Sequence, residues 1–290
     1  MDYIKDVTGG EGGSAYLVLG KDKTALIDCG MAYCADSLID NIQEVIGDGR
    51  KLNYVLLSHS HYDHVGAVPY LRKEWPEVEV LAAEYAQKVL SKKSVLKTIR
   101  DLSCKAGEHY GAYKPLEYDD ELMKVNRKVY DGDLLDLGDV KIAVIETPGH
   151  TKCSLSFLVN EKVMFASETS GVISPTGKIY PTFINSYWET IESNKKCQEA
   201  HPNYIISPHS GLVSKNQTHD YWQNCMKAAV ACRDFVVKLF LSGADEDEIF
   251  ERYRNIYQDE KTREKQPDYA FELNNRAMIR IIIQETKESA

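Results

Sequence analysis

The stretch LLSHSHYDHVGAVPYL (Leu56–Leu71) constrains this chain more than any other. An apolar run, Tyr54–Ser58, reads as a buried strand that feeds directly into His59-x-His61-x-Asp63-His64, and a helical pattern follows. His59 and His61 are two residues apart, so an extended backbone puts both side chains on the same side. Asp63 and His64 then fall on turning backbone, where they can serve a second, adjacent metal ion. Imidazole nitrogen combined with carboxylate oxygen suits zinc, iron or manganese. A fold that uses these four residues together must place a strand end and a helix start around one concavity.

The rest of the chain supplies such a scaffold. Short runs bounded by Gly, Asp or Pro read as strands at Ala15–Leu19, Thr24–Asp28, Asn53–Ser58, Val78–Leu81, Val140–Glu146, Ser154–Val159, Lys162–Ala166 and Tyr204–Ser207. Helical patterns fall between them at Ala35–Ile46, Ala67–Glu74, Glu84–Arg100 and Glu189–Ala200. The first has Leu38, Ile39, Ile42 and Ile46 at helical spacing. This alternation indicates an α/β architecture. From Thr218 onward the pattern is helical: Tyr221, Cys225, Ala228, Cys232, Val236 and Leu239 mark one face. Asp245–Glu248 opens a second helix with the negative charge that suits an N-terminus, and Tyr269–Glu288 reads as a third. The expected division is a catalytic-type domain over 1–215 and a helical extension over 216–290. The Glu- and Lys-rich Asp259–Lys265 reads as a solvated connection. Residues 97–125, with Gly107, Gly111, Tyr110, Tyr113 and Tyr118, read as an irregular insertion, either a lid or a surface excursion.

Composition removes several function classes. The 290 residues carry 35 Lys+Arg against 44 Asp+Glu, a net charge of −9 that argues against a nucleic-acid partner. No apolar run approaches a membrane span; Met278–Ile283 is broken by Arg280. The polar, glycine-rich N-terminus does not resemble a secretory signal, so a cytoplasmic location is expected. The 7 cysteines include no CxxC pair and read as reduced thiols. Among them, Cys29 and Cys153 read as packed residues rather than ligands.

With these motifs in place, the chain resembles the metallo-β-lactamase superfamily of metallohydrolases, whose HxHxDH signature matches His59, His61, Asp63 and His64. LIDCG (Leu26–Gly30) resembles the family's LIDxG strand end, with Asp28 at its aspartate. DGDLLDLGDVKIAVIETPGHTKCSLSF places His150 as a ligand, and YIISPHSG places His209. The resemblance covers about residues 13–212. It implies a four-layer αββα sandwich carrying an α-helical C-terminal appendage. It also implies two divalent metal ions, zinc first, with iron or manganese as alternatives. One ion falls to His59, His61 and His150, the other to Asp63, His64 and His209. The family bridges its metals with an aspartate after the next strand; here VMFASETSG places Glu168 there, a carboxylate one methylene longer.

Those ligands leave His109, His201 and His219 without an assigned role. Tyr180, Phe183, Tyr187 and Trp188 are candidates for either an aromatic wall or buried packing. The implied reaction is hydrolysis of a small thioester, lactone or other ester by a hydroxide formed at the dinuclear site, with Asp63 as the catalytic carboxylate. The TPGHT form of the third motif and the helical tail are both similar to glyoxalase II-like and lactonase-like members. A small-molecule phosphodiesterase and a non-hydrolytic metal-binding regulator are the alternatives. The expected partner is a small-molecule substrate, with no membrane, and the tail offers either a roof to the site or a homodimer surface.

Overall fold

The computed structural model describes residues 2–112 and 118–288. Its backbone clusters into two compact units: Met1–Ile145 with Phe157–Asn160, and Glu146–Ser156 with Glu161–Ala290.

In the first unit a six-stranded sheet runs in sequence order. Its strands are β1 (Ile4–Asp6), β2 (Tyr16–Leu19), β3 (Thr24–Ile27), β4 (Tyr54–Leu56), β5 (Glu79–Ala82) and β6 (Arg127–Lys128). The pairs β1–β2 and β2–β3 are antiparallel, and β3–β4, β4–β5 and β5–β6 are parallel. Every residue of β3 and β4 is buried, as expected of parallel strands covered on both faces. Around the sheet run α1 (Ala35–Ile46), α2 (Tyr62–Val65), α3 (Val68–Glu74), α4 (Glu84–Leu90) and α5 (Lys93–His109). α1 buries Leu38, Ile42 and Ile46, the face its spacing predicts. A hairpin of β7 (Leu134–Asp136) and β8 (Lys141–Glu146) follows.

The parallel register of β3 and β4 positions the chemistry. It pairs Ile27 with Leu56, so Asp28 emerges beside Leu57 at the carboxyl ends of the strands, within reach of Ser58 one residue further on. Open α/β sheets commonly bind ligands at that edge. Gly66 lets the following helices close onto it: a Cβ there would lie 2.5 Å from Ala32 N and 2.9 Å from the Gly30 carbonyl.

In the second unit, β10 (Val163–Phe165) pairs parallel with β13 (Tyr204–Ser207), which pairs antiparallel with β14 (Gly211–Leu212). β11 (Val172–Ile173) and β12 (Ile179–Tyr180) form a small ribbon. The chain crosses from this unit to the first within β9 (Leu155–Val159), which is buried at every position. α6 (Tyr187–Glu199) is capped by the Ser186 hydroxyl. Then follow α7 (Lys215–Thr218), α8 (Tyr221–Leu241), α9 (Glu246–Tyr257), α10 (Glu260–Lys265) and α11 (Asp268–Glu288). α8, α9 and α11 share a core through Cys232, Val236, Phe250, Tyr253, Phe271 and Ile279, and Phe183 and Tyr187 belong to it. Two of the candidate wall aromatics are therefore interior packing, whereas Trp188 is exposed. No described helix is long and apolar enough to cross a membrane.

Asp259–Lys265 is solvated as expected, exposed except at Thr262, but it is helical: the Asp259 side chain accepts from Thr262 N and starts α10. One reading is corrected. Much of 97–125 is regular, because α5 continues to His109 and a 3₁₀ turn spans Asp120–Met123. The buried face of α5 comprises Leu96, Ile99, Ser103, Ala106 and Gly107. Its second half thus packs through small residues that carry almost no hydropathic signal. Tyr113 lies outside the described residues.

Candidate metal centre

In the first unit, β4 ends at Leu56, and Ser58, at a bend in the chain, and His59 follow directly. His61 is the N-cap of α2, with extended dihedrals, and Asp63 and His64 sit in its single turn. His64 N and Val65 N both donate to the His61 carbonyl, at 3.0 and 3.1 Å. This tight turn gathers the imidazoles: ring centroids lie 4.6 Å apart for His59 and His61 and 4.1 Å apart for His59 and His64. Ligand atoms of His59 and His61 lie within 4.8 Å of each other, as do those of Asp63 and His64. Gly13 closes one side, since a Cβ there would lie 2.4 Å from the Asp63 carbonyl.

Behind the imidazoles stands Asp28, a non-glycine residue in the left-handed region at φ 53. That conformation is uncommon outside glycine, though Asp and Asn tolerate it best. Asp28 Oδ1 accepts from Ser58 N at 2.7 Å. Its Oδ2 accepts from the Ser58 hydroxyl at 2.7 Å and lies 2.8 Å from His64 Nδ1. With Nδ1 engaged by a carboxylate, the His64 ring presents Nε2, and that atom is 3.6 Å from Asp63 Oδ2.

In the second unit, His150 follows the Pro148-Gly149 turn. Its backbone N–H donates to Thr169 Oγ1 at 3.1 Å, and that hydroxyl donates to the Thr147 carbonyl at 2.7 Å. His150 Nδ1 meets the Thr182 carbonyl, so Nε2 is again the atom presented. Glu168 opens the 3₁₀ turn Glu168–Ser170, its carbonyl held by the Thr182 hydroxyl. The two carboxylate oxygens of Glu168 face different rings. Oε1 lies 2.9 Å from His209 Nε2, and Oε2 lies 3.3 Å from His150 Nε2. His209 comes just after β13, in the left-handed region at φ 57. The helical tail supports this turn: the buried Tyr221 hydroxyl of α8 hydrogen-bonds Ser170 Oγ at 2.9 Å and Ser207 Oγ at 3.1 Å. Burial pushes the Tyr221 phenol well above its ordinary pKa, so it stays protonated as a donor.

Each unit therefore gathers its own share of the sequence-derived candidates: His59, His61, Asp63 and His64 in one, His150, Glu168 and His209 in the other. The donor chemistry fits divalent metal ions, because neutral imidazoles whose far nitrogen is already engaged are the usual ligand arrangement. Ser58, Thr169, Thr182 and Tyr221 were not foreseen as supports. Ser58 alone had a local signal, a hydroxyl directly before His59.

Other candidates stand apart from ligand duty. Cys29 is buried, its Sγ donating to the His64 carbonyl at 3.1 Å, and burial raises its thiol pKa far above the ordinary value. Cys153 is likewise buried, 3.3 Å from Thr151 Oγ1. His109 ends α5 edge-on to Tyr110, and the His219 side chain is exposed.

Comparisons with known proteins agree with this layout. The family model described as the metallo-beta-lactamase superfamily matches residues 8–209. A metallo-beta-lactamase fold-containing protein of Sulfurisphaera tokodaii is 31% identical over 206 residues, 69% of this chain and 74% of that one. The crystal structure of an archaeal superfamily member from Sulfolobus tokodaii superposes with a TM-score of 0.60 at 27% identity, covering 77% of this chain and 84% of that one. A hydroxyacylglutathione hydrolase of Francisella philomiragia is 26% identical over 71% of this chain, but the match spans only 60% of that enzyme. The fold is the α/β sandwich of these proteins with a helical C-terminal region, and the chain belongs to the metallo-β-lactamase superfamily.

Proposed function

We propose that this protein is a metal-dependent hydrolase of small thioesters, lactones or related esters that works through a dinuclear metal centre. On this reading His59, His61 and His150 would hold one ion, and Asp63, His64 and His209 would hold the other, as the family resemblance implies. Glu168 would supply a further carboxylate ligand. The observation that carries the reading is the preset orientation of the imidazoles: His64 Nδ1 is held by Asp28 and His150 Nδ1 by the Thr182 carbonyl. The two Glu168 oxygens, each facing a different candidate imidazole, support a ligand role for this carboxylate.

When bound, divalent ions would supply Lewis acidity toward a carbonyl oxygen and lower the pKa of a bound water toward neutral. The chain's own residues do the rest. Asp63 orients the attacking water, accepts its proton and returns it to the leaving thiol or alcohol. Water adds to the acyl carbon, the carbon–sulfur or carbon–oxygen bond breaks, and an acid and a thiol or alcohol leave. The similarity to a hydroxyacylglutathione hydrolase favours a thioester within this class.

The test is metal analysis of the purified protein followed by assay on S-acyl glutathiones, lactones and phosphodiesters. The expected result is about two metal equivalents, with thioester or lactone turnover lost in His61→Ala and Asp63→Ala. Turnover unchanged in both variants would refute the metal mechanism. Preferred phosphodiester cleavage would reassign the substrate class.

A further inference from the structure

We propose that Ser58 is a positioning residue which, together with Asp28, fixes the tautomers of His59 and His64 so that both rings present Nε2 before any ion arrives. The assignment rests on the protons available to Ser58, Asp28, His59 and His64, three of them buried and Asp28 partly so. The Ser58 hydroxyl carries one proton and lies 2.7 Å from Asp28 Oδ2, an atom of a carboxylate that only accepts. Ser58 therefore donates to Asp28. Its oxygen also lies 3.1 Å from His59 Nδ1, and having spent its proton it can only accept there. His59 Nδ1 must then carry a hydrogen, which leaves the Nε2 lone pair for a ligand. His64 Nδ1, at 2.8 Å from the same Asp28 oxygen, must carry one as well. The 3.3 Å approach of His64 Nδ1 to Ser58 Oγ is the longer contact and follows from the crowding of these groups.

One carboxylate oxygen thus commits two histidines at once, His64 directly and His59 through the serine hydroxyl. On the proposed function these rings belong to different ions, so a single second layer prepares both sites. Asp28 is held for this task in three ways. It sits at φ 53, and Ser58 contributes both its N–H and its O–H to the two carboxylate oxygens. Ser58, His59 and His64 are buried and the Asp28 side chain is only 13% exposed, so water has little access to this cluster.

The significance for metal capture rests on the proposed function, but the tautomers can be read without it. The full-length chain, labelled with nitrogen-15 at histidine and stripped of metal by a chelator, is examined by long-range nitrogen–proton correlation NMR. The expected wild-type result is His59 and His64 both protonated at Nδ1. In Ser58→Ala, His59 should shift to or mix with the Nε2–H form, which predominates in solution, while His64 keeps its state through Asp28. Zinc affinity measured by chelator competition should fall about 10–100-fold, the usual effect of removing a group that orients a ligand. Ser58→Thr, which retains the hydroxyl, should restore both readouts. An Nε2–H signal for His59 in the metal-free wild type overturns the proposal with no variant needed. An unchanged His59 tautomer or zinc affinity in a folded Ser58→Ala also overturns it. A protein with the expected tautomers but no hydrolysis would refute the proposed function and leave this inference standing.

Discussion

Thr169 offers a sharp test of how the second unit holds His150. Its hydroxyl accepts from His150 N at 3.1 Å and donates to the Thr147 carbonyl at 2.7 Å, at a site only 3% exposed. Thr169→Val preserves the side-chain shape, so no cavity opens and no methyl contact is lost. What changes is that a buried N–H and a buried carbonyl lose their shared partner. Leaving a buried polar group unsatisfied costs about 1–3 kcal/mol, so the pair should cost roughly 3 kcal/mol. For a chain of this size each kcal/mol lowers the unfolding midpoint by about 2–3 °C, which predicts a drop of roughly 6–9 °C by calorimetry. Thr169→Ser separates the causes. It keeps the hydroxyl and loses only the methyl that packs toward Gly149, and should cost about 1 kcal/mol. Zinc affinity should fall about 10–100-fold in the valine variant and little in the serine variant. If valine unfolds within 1 °C of wild type, the hydroxyl is not holding the His150 turn, and the inference from these two hydrogen bonds is wrong.

Three further outcomes follow from other parts of the molecule. Glu168→Ala should lose one of two bound zinc equivalents by elemental analysis, and retention of both would remove this residue from the site. Gly149→Ala should destabilise by more than about 2 kcal/mol, since φ is +136 and a Cβ would lie 2.3 Å from Thr190 Oγ1; a urea midpoint equal to wild type would contradict this. Stability should also fall on the alkaline side. Burial raises the Cys29, Cys225 and Cys232 thiols and pushes Cys34 up to about 11. Their stabilising contribution is complete below the unfolded value near 8.5–9 and is lost as pH rises, because the unfolded chain releases protons that the folded one keeps. The slope is about 1.4 kcal/mol per pH unit for each such group. Urea midpoints from pH 8 to 10.5 should therefore decline, less steeply in Cys232→Ala, and a flat profile would show the thiols are not shielded.

The uneven legibility of this chain has a physical basis. His59, His61, Asp63 and His64 could be read together because a strand end and one helical turn keep them contiguous, so sequence spacing is already geometry. His150, Glu168 and His209 are separated along the chain, and only their resemblance to family motifs identified them. The supports are less visible still. Thr182 serves both His150 and Glu168, yet its contribution to the ring is a backbone carbonyl, which leaves no trace in residue type. Tyr221 reads as one more residue on the apolar stripe of α8, and its hydroxyl matters only because the fold brings Ser170 and Ser207 to it. The shortest strands and half of α5 escape the sequence for a related reason. β1, β6, β11, β12 and β14 are two or three residues long and join their sheets through backbone hydrogen bonds, so their side chains establish no period. α5 hides half its buried face behind Ser103, Ala106 and Gly107. Pattern reading detects large apolar side chains at regular intervals and ligand residues close in sequence. The candidate ligands within each unit are held by backbone carbonyls, hydroxyls and left-handed turns such as those at Asp28 and at His209, and these supports become visible only once the backbone of each unit is known.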